Sequence, residues 1–138
     1  PATSTPASGF VAPIGGLTCG LAGGFICYLA GDVIRNRMRS DDSLDVMAVH
    51  GVGGATGTLL TAVLMGAGLG GVGLDEGTSV GSQFVVQFTG VAVTAIYCAI
   101  VSIIIVMVVK ATTGLRVSAD EEREGLDLAS HGETGYNT

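Results

Sequence analysis

The sequence predicts an all-α membrane protein with three transmembrane helices and a short cytoplasmic tail, and its charge pattern carries that prediction. Charged residues make up only 13% of the 138 residues, about half of what a soluble domain carries. Most of them fall in two clusters, at 32–45 and 110–133, with Asp75 and Glu76 between. The charge-free stretches cover residues 1–31, 46–74 and 77–109.

Each charge-free stretch exceeds the roughly 20 apolar residues that a membrane-spanning helix needs. A segment in hydrocarbon must satisfy its own backbone amides, so these stretches are predicted to be helices and not an open sheet. The alternating polarity of a membrane β-barrel is absent. Lipid is therefore the expected environment of most of the chain.

The first predicted span covers residues 14–34, after a start rich in Pro, Ser and Thr. Pro13 suits a first helical turn, where its missing N–H costs nothing. Gly16, Gly20 and Gly24 recur every four residues, which is typical of helices that approach closely. We interpret this stripe as ordinary bundle packing and not as a specific dimer motif.

The second predicted span covers residues 44–67, and it contains one ionisable side chain, His50. At its start, Asp45 is placed where the helix dipole favours a carboxylate. An ion-attracting group at the membrane surface is the alternative for this residue.

His50 is the candidate functional residue, because an ionisable group inside a membrane span marks a pathway or a site by default. A neutral imidazole is both donor and acceptor, so it can hydrogen-bond a small amine. Packing against a neighbouring helix is the structural alternative. Helical spacing predicts one shared face for Val46, His50, Gly54, Gly57 and Thr61.

The third predicted span covers residues 82–109 and is longer than a straight crossing requires, so we expect it to tilt or protrude. In the tail, Ser118 and Glu121 have the spacing of a capping box. A short helix should follow and stop at Gly125, and Asp127 is predicted to cap a second turn. A disordered acidic tail is the alternative. The domain organisation is thus a transmembrane portion at 1–116 and a tail at 117–138.

Enzymatic chemistry is not predicted. Residues 66–71 match GxGxxG, but they follow a membrane helix and not a strand, so they do not indicate a dinucleotide site. Asp75 and Glu76 are too few for a calcium loop, and no nucleophile has a base in sight. We expect no cofactor, no metal and no nucleic-acid partner.

Lys and Arg set membrane orientation, and here they lie on one side. Three arginines separate the first two spans, three basic residues follow the third span, and the 66–81 loop has none. The tail is therefore predicted to be cytoplasmic and the N-terminus outside. The chain has no initiating Met, and we expect it to be a piece of a longer protein.

Residues 41–54 (DDSLDVMAVHGVGG) resemble the DD..DVF.VHGVGG helix of the Amt/Mep/Rh ammonium transporters, and the likeness is greatest to bacterial Amt proteins. Met47 stands where Phe is common. Further stretches resemble the family in the same order and extend the likeness over essentially the whole chain: 5–11, 70–74, 113–117, 121–127, and 130–133 with Tyr136.

The resemblance implies a homotrimeric, multi-pass inner-membrane transporter of eleven spans, of which this chain supplies the last three. It also implies ammonium or ammonia as substrate, and a PII-type signal protein as cytoplasmic partner. His50 matches the second pore histidine, and Val46 matches a residue that lines the pathway below it. An ammonium sensor or a free-standing scaffold subunit are the alternatives. The regulatory tail is assigned Gly125, Asp127, His131 and Tyr136.

Overall fold

The computed structural model describes residues 2–40 and 42–135, and within these ranges the chain is helical and contains no strand. Three helices in this described part of the chain are long and apolar enough to cross a membrane, which confirms the predicted all-α membrane fold. In chain order the α-helices are α1 (Pro13–Asp32), α2 (Gly53–Leu64), α3 (Val80–Thr112) and α4 (Ala119–Glu124).

Wider π-helical turns lengthen two of these helices. Val33–Arg37 continues α1, and Met47–Val52 leads directly into α2. The membrane-length segments are consequently Pro13–Arg37, Met47–Leu64 and Val80–Thr112. The tail adds a π-helical turn at Asp127–His131.

The N-terminal segment, residues 2–9, packs between α1 and α2. Thr3 is only 6% exposed. A Cβ atom on Gly23 of α1 would collide with the Thr3 side chain, and one on Gly57 of α2 would collide with the Thr3 backbone. At Gly53 an added Cβ would lie 2.8 Å from Cys27 Sγ. The two helices and the segment fit together because these positions lack side chains.

The glycine stripe that the sequence singled out is not the stripe that packs here. Around Gly16, Gly20 and Gly24 an added Cβ would meet nothing within 4 Å. The close contacts involve Gly23, and also Gly15, where an added Cβ would lie 2.9 Å from Val11 Cβ. Spacing alone could not distinguish these two faces, since both are lined by small residues.

The loop between α2 and α3 folds back on the start of α1. The Gly73 amide donates to the Met65 carbonyl at 2.8 Å, and the Val72 amide donates to the Phe10 carbonyl at 3.1 Å. Gly73 adopts a φ of +92°, which L side chains rarely adopt. Next, Ser79 Oγ accepts the Ser82 amide at 3.1 Å, so a serine cap begins α3.

Helix α3 has 33 residues, about 50 Å at 1.5 Å per residue, compared with a hydrocarbon core of about 30 Å. None of its residues is buried. The chain divides into two compact units, 1–95 and 96–138, and the boundary falls within α3. The first unit contains α1 and α2, and the second contains α4.

Candidate functional site

The helix that carries His50 begins at a carboxylate cap that the sequence did not predict. Asp42 Oδ1 accepts the Val46 amide at 2.8 Å, and Asp42 Oδ2 accepts the Met47 amide at 2.9 Å. The first amides of a helix have no partner within it, so Asp42 satisfies two of them. These bonds run to residues four and five positions ahead, farther than an ordinary N-cap reaches.

Asp45, at the start of the same helix, forms an ion pair instead of a cap. Its Oδ1 atom lies 3.2 Å from Arg35 Nε, in the turn that continues α1. Its backbone has a φ of +53°, a conformation in which Asp is several-fold enriched. The ion pair ties the start of the His50 helix to the end of α1.

His50 lies inside the π-helical turn Met47–Val52. Its side chain is exposed, whereas Ala48, two residues earlier, is 1% exposed. Met47 lies over Gly51, where an added Cβ would come within 2.9 Å of Met47 Sδ. Single π-helical turns inside α-helices are frequent at functional sites. The sequence pattern gave no sign of this one.

The predicted face of the second span is divided by burial. Val46 is 51% exposed, His50 is exposed too, and Gly54 is open on its Cβ side. Gly57 and Thr61 are buried instead, and the Thr61 hydroxyl donates to the Gly57 carbonyl at 2.8 Å. Only the first part of the face, from Val46 to Gly54, is accessible in this chain.

A cleft of about 250 Å³ adjoins the turn that contains His50. It lies beside Val49, whose neighbour in the chain is His50. None of the residues that line the cleft is charged. The lining consists of Ala2, Thr3, Ser4, Gly20, Gly23, Gly24, Cys27 and Val49.

The tail contains the predicted capping box. Ser118 Oγ accepts the Glu121 amide at 3.3 Å, and Glu121 Oε2 accepts the Ser118 amide at 2.8 Å. The side-chain and backbone hydrogen bonds of Ser118 hold the pKa of Glu121 below its ordinary value. Arg116 binds Glu122 with two hydrogen bonds, at 2.7 and 3.3 Å. That hydrogen bonding and the charge of Arg116 lower the pKa of Glu122.

The predicted tail residues lie in and beside the two short turns. Gly125 ends α4 with a φ of +99°, and His131 ends the following turn just before Gly132. Asp127 was predicted to cap that turn, but it lies within its first residues and makes no capping bond. Tyr136 falls outside the described residues.

The site offers one exposed imidazole that can donate and accept hydrogen bonds. In residues 2–40 and 42–135, no three His, Cys, Asp or Glu side chains converge where they could hold a metal ion. Val46 and His50 are one turn apart within the first unit. Gly125, Asp127 and His131 belong to the second unit.

Comparison with known proteins identifies relatives along almost the whole chain. Residues 2–136 match the profile of the Ammonium Transporter Family. An ammonium transporter of Aquifex aeolicus is 41% identical over 134 residues, which cover 96% of this chain and 31% of that protein. Ammonium transporter Amt1 of Archaeoglobus fulgidus is 41% identical over 136 residues, covering 98% and 34%.

A third relative, an ammonium transporter of Bacillus subtilis, is 33% identical over 134 residues, covering 96% of this chain and 33% of that protein. The chain therefore spans about one third of the length of these curated relatives.

Proposed function

Because the chain belongs to the ammonium transporter family, we propose that it forms part of a membrane transporter that moves ammonium or ammonia past the imidazole of His50. The observation that carries this proposal is the exposed His50 ring on an apolar, membrane-length helix of a family member. Val46, one turn earlier and also exposed, would line the same pathway on the cytoplasmic side.

The physical argument begins with the cost of charge in a low-dielectric passage. Desolvation disfavours an imidazolium and an ammonium ion alike, so a neutral imidazole and a neutral amine are the compatible pair. A neutral imidazole can accept a hydrogen bond at one nitrogen and donate one at the other. His50 would therefore orient ammonia and exchange protons with it, while the apolar surroundings exclude larger hydrated cations.

The direction of the chain in the membrane follows from its basic residues. Arg35, Arg37 and Arg39 precede the His50 helix. Lys110 lies in the last turn of α3, and Arg116 follows that helix. Basic residues near the ends of membrane spans remain cytoplasmic. We place the tail and the start of the His50 helix inside the cell, and the 66–79 loop outside, in the inner membrane.

The remaining parts of the proposal concern assembly and regulation. A homotrimer with one pathway per subunit, and further spans of the same protein, would complete the walls around His50. The tail would present Gly125, Asp127, His131 and Tyr136 to a PII-type signal protein. Its ordered turns and the Arg116–Glu122 pair support docking, since a preformed surface loses less entropy when it binds.

Uptake by the complete protein in sealed vesicles tests the role of His50. We expect His50→Ala to lower methylammonium uptake at least about tenfold, which corresponds to about 1.4 kcal/mol of barrier, and to leave oligomer assembly intact. Val63→Ala is the control, because it also shortens an exposed side chain on the same helical segment but removes no polar group. Normal uptake by His50→Ala would exclude the pore role.

The same vesicles separate the alternative functions. An ammonium sensor would bind substrate without net flux across the membrane. A free-standing scaffold subunit would show neither binding nor a dependence on His50.

A further inference from the structure

We infer that Asp42 is a positioning residue for His50: its carboxylate sets the rotation and height of the imidazole through the first turn of the helix. This inference rests on the proposed function, since it assigns a role to a second residue of the same site. The two amides that Asp42 binds belong to Val46 and Met47, at 2.8 and 2.9 Å. His50 follows Met47 by three residues.

The turn that carries His50 is held at both of its ends. Upstream, Asp42 fixes the first two amides, and Asp45 is paired with Arg35 at 3.2 Å. Downstream, Gly53 and Gly57 are buried against Cys27 and Thr3, where no side chain fits. Both ends of the Met47–Val52 turn are therefore fixed, and its π-helical conformation fits the chain between the Asp42 cap and the buried glycines of α2.

Loss of the two hydrogen bonds to Asp42 would displace His50 more than it displaces the rest of the helix. A π-helical turn contains one residue more than an α-helical turn, and a register change of one residue rotates a side chain by about 100°. The downstream contacts of Gly53 and Gly57 would keep α2 in place. The imidazole would then leave the face it shares with Val46, although the fold persists.

A plain structural cap would behave differently from a positioning residue, and the chain supplies a matched control. Ser79 caps α3 by accepting the Ser82 amide at 3.1 Å, and α3 carries no histidine. Ser79→Ala removes a helix cap without affecting the His50 turn. Asp42→Asn retains one of the two acceptor oxygens and replaces the other with an NH2 group that cannot accept, so it removes one of the two hydrogen bonds.

The first measurement is the rate of methylammonium uptake by the complete protein in vesicles. We expect Asp42→Ala to lower the maximal rate about tenfold or more with little change in KM, since a misplacement of 1 Å at a reacting centre can cost about 100-fold. Asp42→Asn, which keeps one of the two acceptors, should give a rate between those of Asp42→Ala and the parent, and Ser79→Ala should match the parent. Equal losses in Asp42→Ala and Ser79→Ala, or no loss in Asp42→Ala, would overturn the inference.

The second measurement does not depend on transport. In a protein with no other reactive thiol, His50→Cys is treated from the cytoplasmic side with a small cationic thiosulfonate. Adding Asp42→Ala should change the reaction rate of this thiol at least about threefold by altering its exposure, and adding Ser79→Ala should not. An unchanged thiol rate would overturn the inference even if uptake falls.

The two measurements fail separately. If His50→Ala retains uptake, the proposed pore role is wrong, while the thiol rates still report whether Asp42 sets the position of residue 50. If Asp42→Ala yields too little folded protein, Asp42→Asn combined with His50→Cys carries the same comparison. Its thiol rate should then shift in the same direction as expected for Asp42→Ala but by less, and an unchanged rate would overturn the inference.

Discussion

The segment Met47–Leu64, which contains α2, and helix α3 are both apolar and long enough to cross a membrane, yet they present different surfaces to their neighbours. Helix α2 buries Gly53, Gly57, Thr61 and Ala62. Its close contacts are possible because its glycines have no side chain. Helix α3 buries none of its residues and exposes Val, Ile and Phe along its length. Hydrophobicity therefore determines that a helix enters the membrane, whereas residue size determines what it can approach there.

The largest expected effect tests whether α3 crosses the lipid bilayer. Ile96 is at the middle of α3 and is 61% exposed. We expect Ile96→Lys to raise the apparent free energy of membrane insertion by about 3 kcal/mol, measured by glycosylation mapping of the segment in microsomes. Ala111→Lys, beside Lys110 at the helix end, should change it little. Equal effects at both positions would mean that α3 does not cross the bilayer.

The next effect tests the packed side. Gly57→Ala places a Cβ against the Thr3 backbone, and we expect a loss of about 1–3 kcal/mol of stability, as for other overpacked sites, measured as a lowered Tm in detergent. Gly54→Ala is the control, since its Cβ meets nothing within 4 Å. Both changes favour the helix equally, so their difference isolates the collision. Equal Tm values for the two variants would show that α2 is not closely packed at Gly57 and would contradict the contrast with α3.

The smallest effect concerns the polar tail beyond α3. Helix α4 has six residues, too few to persist in water without its caps. Ser118→Ala should therefore reduce amide protection in α4 while the membrane helices keep theirs, measured by hydrogen exchange. Unchanged protection in α4 would show that other contacts hold it.

The pH dependence of the tail has a definite sign. The pKa of Glu121 is lowered in the folded tail, so its contribution is present above the ordinary glutamate pKa. It is lost as the pH falls through the lowered value. The protection factors of the α4 amides, which correct for the pH dependence of intrinsic exchange, should accordingly fall under acid conditions, and the fall should be smaller in Glu121→Gln.

The fold could be predicted from the sequence largely because charge is excluded from hydrocarbon. The clusters around Arg35 and Lys110 delimit three helices with no reference to tertiary contacts. The capping box at Ser118 was equally predictable, since its bonds span only three residues. These features depend on residues close together in the chain, and such local patterns can be recognised in a single sequence.

What the sequence did not reveal depends on distant or irregular contacts. Nothing in the pattern indicates that Thr3 lies against Gly23 and Gly57, because such a contact joins positions far apart in the chain. Asp42 was passed over in favour of Asp45, since its bonds reach beyond the usual capping distance. The division of the Val46–Thr61 face was unpredictable for the same reason, since Gly57 in its second half lies against Thr3.

The seating of Thr3 also has a consequence for the order in which the protein assembles. Gly57 follows Gly23 by 34 residues, so at about 5–20 residues per second the ribosome exposes the second contact about 2–7 s after the first. During that interval the segment around Thr3 can contact Gly23 but not yet Gly57. Slow or paused synthesis between these two glycines would prolong a half-built state in which the segment can detach.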